Sequence, residues 1–126
     1  YTIIVFVSVL VSAFIDNIPY VAMMLGVVEI IVINFANSPQ FSHLGEQAYA
    51  LISTPLFFGL LVGSTLGGNL TPVGASANIT AIGVLRKEGY EVSTGQFMKI
   101  SFPYTMVAVT SAYLLVWLLF GWPLIQ

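Results

Sequence analysis

The sequence predicts an all-α integral membrane protein. Of its 126 residues, 58% are hydrophobic and only 6% are charged. A soluble domain carries about 25% charged residues because its surface faces water, so this chain must lie largely in lipid. The net charge of −2 leaves no basic patch, which excludes nucleic acid as a partner. We therefore expect a multi-pass protein of the plasma or cytoplasmic membrane, with the lipid bilayer as its main surroundings.

The first apolar region, residues 1–35, contains two charged residues, Asp16 and Glu29. As one helix it would be about 52 Å long, whereas the hydrocarbon core is about 30 Å thick. We expect the break near Asp16, because Pro19 suits the first turn of a new helix and Asp16 or Asn17 can cap that helix. Two legs of roughly 15 residues, or about 23 Å each, predict a re-entrant helical hairpin.

The second apolar region predicts one membrane span with an unwound middle. Residues 36–48 are rich in turn-forming residues and are expected to form an outer loop. Residues 49–85 are then apolar at both ends but small, polar and uncharged between 67 and 78. Such a broken transmembrane helix is tolerated only where protein or a water-filled cavity satisfies its backbone. The residues expected to break the two apolar regions or to pack closely against a neighbour are Pro19, Gly59, Gly63, Gly67, Gly68, Pro72 and Gly74.

The third apolar region predicts a final transmembrane helix over residues 102–122, with Trp117 and Trp122 near its end in an interfacial aromatic belt. Before it, Ser93-Thr94-Gly95-Gln96 matches a capping box and predicts a short interfacial helix from Thr94 to Ser101. This helix belongs to a loop over residues 86–101.

The basic residues predict the orientation of the chain. Arg86, Lys87 and Lys99 all lie between the second and third regions, and the 36–48 loop has no Lys or Arg. The positive-inside rule therefore places residues 86–99 in the cytoplasm, and the 36–48 loop and the C-terminus outside.

Two groups of polar residues are candidates for function. A carboxylate deep in the bilayer costs about 2.5–3.5 kcal/mol, so Asp16 is a functional candidate, although a plain helix cap is the alternative. Two helix N-termini, after Asn17 and after Ser76 or Asn78, are expected to meet in the membrane and to attract an anionic group. A simple Pro/Gly kink is the alternative for the unwound segment. The candidate substrate- or ion-binding residues are Asp16, Asn17, Asn69, Thr71, Ser76 and Asn78, with sodium expected near Asp16, Asn17, Thr71 and Asn78.

The sequence disfavours an enzyme. An intramembrane aspartyl protease needs two carboxylates that share a proton, and only Asp16 is expected to lie deep. A serine hydrolase needs a histidine in the membrane, and His43 lies in a loop. There are no cysteines and no clustered metal ligands. We expect no cofactor, with a sodium ion or a proton as the coupling ion.

Two motifs resemble a known family. Ser12-Ala13-Phe14-Ile15-Asp16-Asn17-Ile18-Pro19 and, further along, Gly67-Gly68-Asn69-Leu70-Thr71-Pro72-Val73-Gly74-Ala75-Ser76-Ala77-Asn78 are similar to the second repeat of the ion transporter superfamily. This superfamily includes arsenite permeases, citrate and divalent-anion transporters, sodium/proton antiporters and pink-eyed dilution proteins. The resemblance implies inverted repeats, each with a re-entrant hairpin and a broken helix. It places Asp16 and Asn17 at the hairpin tip, and Thr71, Ser76 and Asn78 in the unwound segment of the substrate and ion site.

The resemblance also implies a function. We expect a secondary active transporter, working by alternating access, for a small anion such as an arsenite-like oxyanion, citrate or a dicarboxylate. Sodium/proton exchange is the alternative activity within the superfamily. The expected partners are an N-terminal repeat of the same protein and a second copy in a homodimer. An ion channel, or a structural membrane subunit that transports nothing, is the alternative from another class.

Overall fold

The computed structural model describes residues 1–122, and the part of the final segment beyond them, where the outer C-terminus was expected, lies outside this range. Within residues 1–122 all regular structure is helical, which confirms the all-α prediction. Three helical stretches, Asn17–Ala36, His43–Gly67 and Thr94–Gly121, are long and apolar enough to cross a membrane. The helices are α1 (Thr2–Ser12), α2 (Asn17–Ala36), α3 (Ala48–Gly67), α4 (Ser76–Lys87) and α5 (Thr94–Val116), with a 3-10 turn at Ser42–Gln47 and a π-helical turn at Trp117–Gly121.

The first apolar region breaks at Asp16. The Asp16 side chain accepts a hydrogen bond from the backbone N–H of Ile18, 3.4 Å away, and so caps α2. Pro19 lies in the first turn of α2, where its missing N–H costs nothing. Helix α2 covers 20 residues rather than the roughly 15 expected for this leg, because its apolar run continues past Gly26 to the turn that begins at Asn37. A re-entrant path for these helices stays a prediction.

Helix α3 is the centre of the bundle. One face of α3 packs against α2 in a cluster of buried apolar side chains, and another face lies against α1 and α5. The side chains shared by α2 and α3 are Tyr20, Val28, Val32, Ala48, Ile52, Leu56 and Leu60. A second buried cluster joins α1, the segment after α3, and α5 through Val5, Val9, Ala13, Leu70 and Val109. Helix α3 and the segment after it are therefore packed against α1, α2 and α5.

The contact between α1 and α3 is a contact between backbones. A Cβ atom added at Gly67 would lie 2.6 Å from the Cα atom of Val9, and one at Gly63 would lie 2.6 Å from the Cβ atom of Ser8. At Gly59 it would lie 2.8 Å from a ring carbon of Tyr1. Since ordinary carbon contacts are about 3.5–4.0 Å, side chains at these three positions would push the helices apart.

Helix α5 is one continuous element. Its capping box forms, because the Ser93 hydroxyl accepts from the Gln96 N–H and the Gln96 amide oxygen accepts from the Ser93 N–H, at 3.3 and 3.0 Å. The separate short helix expected from Thr94 to Ser101 is not present, since α5 runs on through Pro103 to Val116. A proline removes one backbone hydrogen bond, and here the neighbouring turns keep the helix intact.

Helix α4 is the outermost of the helices, with no buried residue. It ends at Lys87, and Gly89, two residues later, has a φ of +87°, a left-handed conformation that suits glycine. The N–H of Tyr90 then donates to the carbonyl of Leu85 at 3.0 Å and closes the last turn. Arg86 and Lys87 in this last turn stabilise the negative end of the helix dipole.

Candidate functional site

Asp16 joins the N-termini of two helices. Its Oδ1 atom accepts from the Ile18 N–H at the start of α2. Its Oδ2 atom accepts from the Ser76 N–H at the start of α4, at 3.2 Å, and from the Ser76 hydroxyl. Helix N-termini carry partial positive charge and free N–H groups, so the carboxylate lies where two such ends attract it. The structure thus brings together Asp16 and Ser76, which are far apart in sequence.

Thr71 and Asn78 hold the unwound segment, residues 68–75, in place. The hydroxyl of Thr71, which is buried, donates to the carbonyl of Ala13 just after α1. The side-chain amide of Asn78, in the first turn of α4, donates to the carbonyls of Gly68 and Thr71 at 2.9 and 3.0 Å. These side chains supply hydrogen bonds to the unwound segment that a continuous helix would provide through its own backbone.

Backbone carbonyl oxygens converge on Gly74. A Cβ atom added there would lie 2.7 Å from the oxygen of Gly68 and 2.9 Å from the oxygens of Ser12 and Ala13. Because any side chain would meet all three oxygens, only glycine fits this position. The oxygens come from the C-terminal ends of α1 and α3, where helix dipoles are negative. Two helix N-termini therefore meet at Asp16, and two helix C-termini meet at Gly74.

The other predicted site residues lie at the edge of this arrangement. Asn17 is half-buried in the first turn of α2, and Asn69 and Pro72 are half-buried in the unwound segment. Within residues 1–122 the side chains of Asn17 and Asn69 form no hydrogen bond, so both are free to contact a ligand. No group of three or more His, Cys, Asp and Glu side chains in the same range is placed to hold a metal ion. Oxygen ligands for a cation would have to come from carbonyls, amides, hydroxyls and the Asp16 carboxylate.

The sequence reasoning missed the hydroxyl groups that tie the other helices to the break. Ser12 donates to the carbonyl of Ser64 at 2.5 Å, and Ser101 donates to the carbonyl of Leu70 at 3.0 Å. The hydroxyls of Ser8 and Tyr20 share a further bond of 3.0 Å. Ser8 and Ser12, two hydroxyl residues four apart on the apolar helix α1, were the signal that could have found the bonds of α1.

Glu29 lies away from this site. Its partner is the hydroxyl of Tyr49 at the start of α3, which lies 2.8 and 2.9 Å from its two carboxylate oxygens. This contact ties α2 to α3 at the end remote from Asp16.

Apolar spans around a carboxylate and a broken helix define a segment of a multi-pass membrane protein. The chain is 37% identical to the P protein of Mus musculus over 122 residues, which are 94% of the chain and 13% of that protein. It is 37% identical to a 46 kDa membrane protein of Mycobacterium leprae (strain TN), over 89% of the chain and 23% of the relative. It is 35% identical to an uncharacterized transporter of Synechocystis sp., over 94% of the chain and 27% of that relative. No protein-family model and no solved structure matches the chain.

The chain is similar to these proteins over 89–94% of its length, and the resemblance of its two motifs to an ion-transporter-like family is confirmed. It spans between 13% and 27% of the length of these three relatives.

Proposed function

We propose that the chain is the C-terminal repeat of a secondary active transporter that works by alternating access. Its substrate is a small anion, namely an arsenite-like oxyanion, citrate or a dicarboxylate, or its activity is sodium/proton exchange. The similarity to proteins named as transporters supports the class. The observation that carries the proposal is the Asp16 carboxylate, which holds the N-termini of α2 and α4 together beside an unwound segment.

The contact between Asp16 and Ser76 suits a switch in such a transporter. While ionised, the carboxylate occupies the N–H and hydroxyl groups of Ser76. A proton or a sodium ion on Asp16 would weaken its hold on these donors, which would then be free for an anionic substrate group. Binding of the coupling ion and of the substrate would therefore favour each other, as symport requires. In an exchanger, sodium and a proton would compete for the same carboxylate.

The backbone contact between α1 and α3 suggests which parts move together. Because Gly63 and Gly67 leave no space between these helices, the first leg of the hairpin and the first half of the broken helix form one rigid unit. The alternating-access motion would then take place between this unit and the rest of the transporter. The N-terminal repeat of the same protein, and a second copy in a homodimer, would supply the opposing surfaces.

The proposal also includes the orientation of the chain in the membrane, the coupling ion and the absence of enzymatic chemistry. Residues 86–99 face the cytoplasm, and the 36–48 loop and the C-terminus lie outside, in the plasma or cytoplasmic membrane. The coupling ion is sodium, near Asp16, Asn17, Thr71 and Asn78, or a proton on Asp16. The protein acts without covalent chemistry and is not an enzyme.

A cysteine at Asn17 tests whether the hairpin tip lies in the transport path. The chain has no cysteine, so Asn17→Cys can be made in the full-length protein with any other cysteines removed. We expect a membrane-impermeant thiol reagent to label Asn17→Cys, and one ligand among sodium, citrate, a dicarboxylate and a non-thiophilic arsenite analogue to suppress the labelling. Ile18→Cys is the matched control, because Ile18 is the next residue of α2 and its side chain is 77% exposed. No labelling of Asn17→Cys under any condition would make the tip a buried structural turn.

Removal of the Asp16 charge tests coupling. Asn also caps helices, so Asp16→Asn should keep the fold while it abolishes flux or uncouples it from the ion gradient. Uphill, saturable and ion-coupled uptake into proteoliposomes distinguishes a transporter from a channel, which conducts only downhill. Wild-type rate and ion dependence in Asp16→Asn would remove this carboxylate from the mechanism.

A further inference from the structure

A groove lies between the end of α4 and the start of α5, along residues 90–93. Two adjacent cavities, of about 570 and 600 Å³, make up this groove. Both cavities are lined by Glu91, Val92 and Gln96, which form their common edge. Each volume lies within the range of about 300–1,000 Å³ that is usual for sites of small organic molecules. The groove therefore has room for part of an organic ligand on each side of this edge.

The two cavities differ in their chemistry. The larger cavity is mostly polar and is lined by Arg86, Glu91, Val92, Ser93 and Gln96. The smaller cavity is mostly apolar, and its apolar lining consists of Leu85, Tyr90, Val92, Phe97 and Ile100. Tyr90 is 65% exposed and Ile100 is 76% exposed. A polar cavity beside exposed apolar side chains fits a ligand with a charged end and a hydrocarbon end.

Arg86 and Glu91 both line the polar cavity but do not pair with each other. Within residues 1–122 neither side chain forms a salt bridge or a hydrogen bond. An ion pair requires an N–O distance of about 4 Å or less, so open space separates these two charges. The side chains of Ser93 and Gln96 are bonded to each other in the capping box. A ligand that carries a negative and a positive charge side by side would satisfy both Arg86 and Glu91, whereas a simple anion would meet the Glu91 carboxylate.

The groove lies at the membrane surface. The helical stretch Thr94–Gly121 is long and apolar enough to cross a membrane, so its first turn is at the level of the lipid headgroups. Tyr90, just before this stretch, has an apolar ring and a polar hydroxyl, which is typical of residues at that level. Helix α4 has no buried residue. A molecule bound in the groove would therefore add contacts between the end of α4 and the start of α5.

We propose that this groove binds a phospholipid with an ethanolamine headgroup. The Arg86 guanidinium binds the phosphate, since its fork of N–H groups matches two phosphate oxygens. The Glu91 carboxylate accepts hydrogen bonds from the primary ammonium, which has three N–H donors like that of lysine. An acyl chain covers the exposed side chains of Tyr90 and Ile100. This lipid site is independent of the proposed transport function.

The test compares two lipids that differ only in the ammonium group. Purified full-length protein is melted in detergent micelles with increasing mole fractions of phosphatidylethanolamine or of phosphatidylcholine with the same acyl chains. The quaternary ammonium of choline has no N–H to donate. We therefore expect half of the maximal stabilisation at an about fivefold lower mole fraction of phosphatidylethanolamine, which is the gain from one hydrogen bond to a charged group at an exposed position.

Two substitutions separate the two ends of the headgroup. Glu91→Ala should remove the preference for phosphatidylethanolamine and leave the binding of phosphatidylcholine unchanged. Arg86→Ala should raise the mole fraction required of both lipids about fivefold, because both carry the phosphate. Both side chains are exposed, so neither variant should melt earlier than wild type without lipid. Lys87→Ala and Glu88→Ala are the matched controls, because they remove the same charges from neighbouring residues that line neither cavity.

Three results would overturn the lipid site. The first is equal stabilisation of the wild-type protein by both lipids, or a preference for phosphatidylethanolamine that survives in Glu91→Ala. The second is a loss in Lys87→Ala as large as that in Arg86→Ala, which would show general attraction between basic residues and phosphate. The third is equal stabilisation by glycerophosphoethanolamine, which has the same headgroup but no acyl chain.

Discussion

The contact between α1 and α3 predicts that a single methyl group at Gly63 destabilises the bundle. In Gly63→Ala the new Cβ atom would lie 2.6 Å from the Cβ atom of Ser8 and 3.2 Å from the carbonyl carbon of Val5. Ordinary contacts begin near 3.5 Å, so α1 must withdraw by about 1 Å. Overpacking of this kind costs about 1–3 kcal/mol. Alanine in place of glycine inside a helix offsets up to about 1 kcal/mol of that cost.

Gly26→Ala is the control that isolates the steric term. Gly26 lies inside α2, and a Cβ atom there would have no neighbour within 4 Å. Both variants gain the same helix propensity, so their difference in unfolding free energy is the overpacking term alone, about 1–3 kcal/mol. Gly63→Leu, with a longer side chain on the same face, should prevent assembly.

Equilibrium unfolding of the full-length protein in mixed micelles, followed by tryptophan fluorescence, measures this difference. Gly63→Ala should unfold at a lower denaturant fraction than wild type, and Gly26→Ala at an equal or higher one. Equal stability of the two alanine variants would mean that α1 and α3 are not in backbone contact. That result would also refute the proposal that α1 and α3 move as one rigid unit.

Three further substitutions test the break and the start of α5. Asn78→Ala removes the two hydrogen bonds to Gly68 and Thr71, so backbone amide hydrogen exchange in residues 68–75 should become at least tenfold faster. Unchanged protection of these residues would show that the Asn78 side-chain amide is dispensable. Gly74→Ala should abolish substrate flux, because its Cβ atom meets three carbonyl oxygens, and normal uptake would mean that these oxygens do not converge. Ser93→Ala should cost about 1 kcal/mol of stability without changing uptake, and a large loss of flux would give the cap a functional role.

Local sequence rules predicted several features correctly because each depends on neighbours in the chain. The capping box at Ser93 needs only a hydroxyl and a Gln three residues later, and it forms as expected. The helix start at Asp16 likewise depends on an acceptor side chain and on Pro19 within one turn. The same rules were less reliable where an interruption can be tolerated. A short helix from Thr94 to Ser101 was expected before the final span, but α5 continues from Thr94 through Pro103 to Val116.

The candidate site could be predicted only as a set of residues. Composition and motif placed Asp16, Thr71, Ser76 and Asn78 at two breaks in apolar helices. Their hydrogen-bond partners are long-range: Asp16 bonds to Ser76, and Thr71 bonds to the carbonyl of Ala13. No spacing rule connects such pairs, because the packing of α1 against α3 decides which ends meet.

The sequence by itself determined that this protein lies in a membrane, that its chain is helical, and where two of its helices break. Those features follow from hydropathy and from the chemistry of neighbouring residues, which act over a few positions along the chain. Only the tertiary structure decided that two helix N-termini share the Asp16 carboxylate and that carbonyl oxygens converge on Gly74. The physical reason is that these contacts depend on how closely whole helices approach, and the glycines of α3 set that distance for α1.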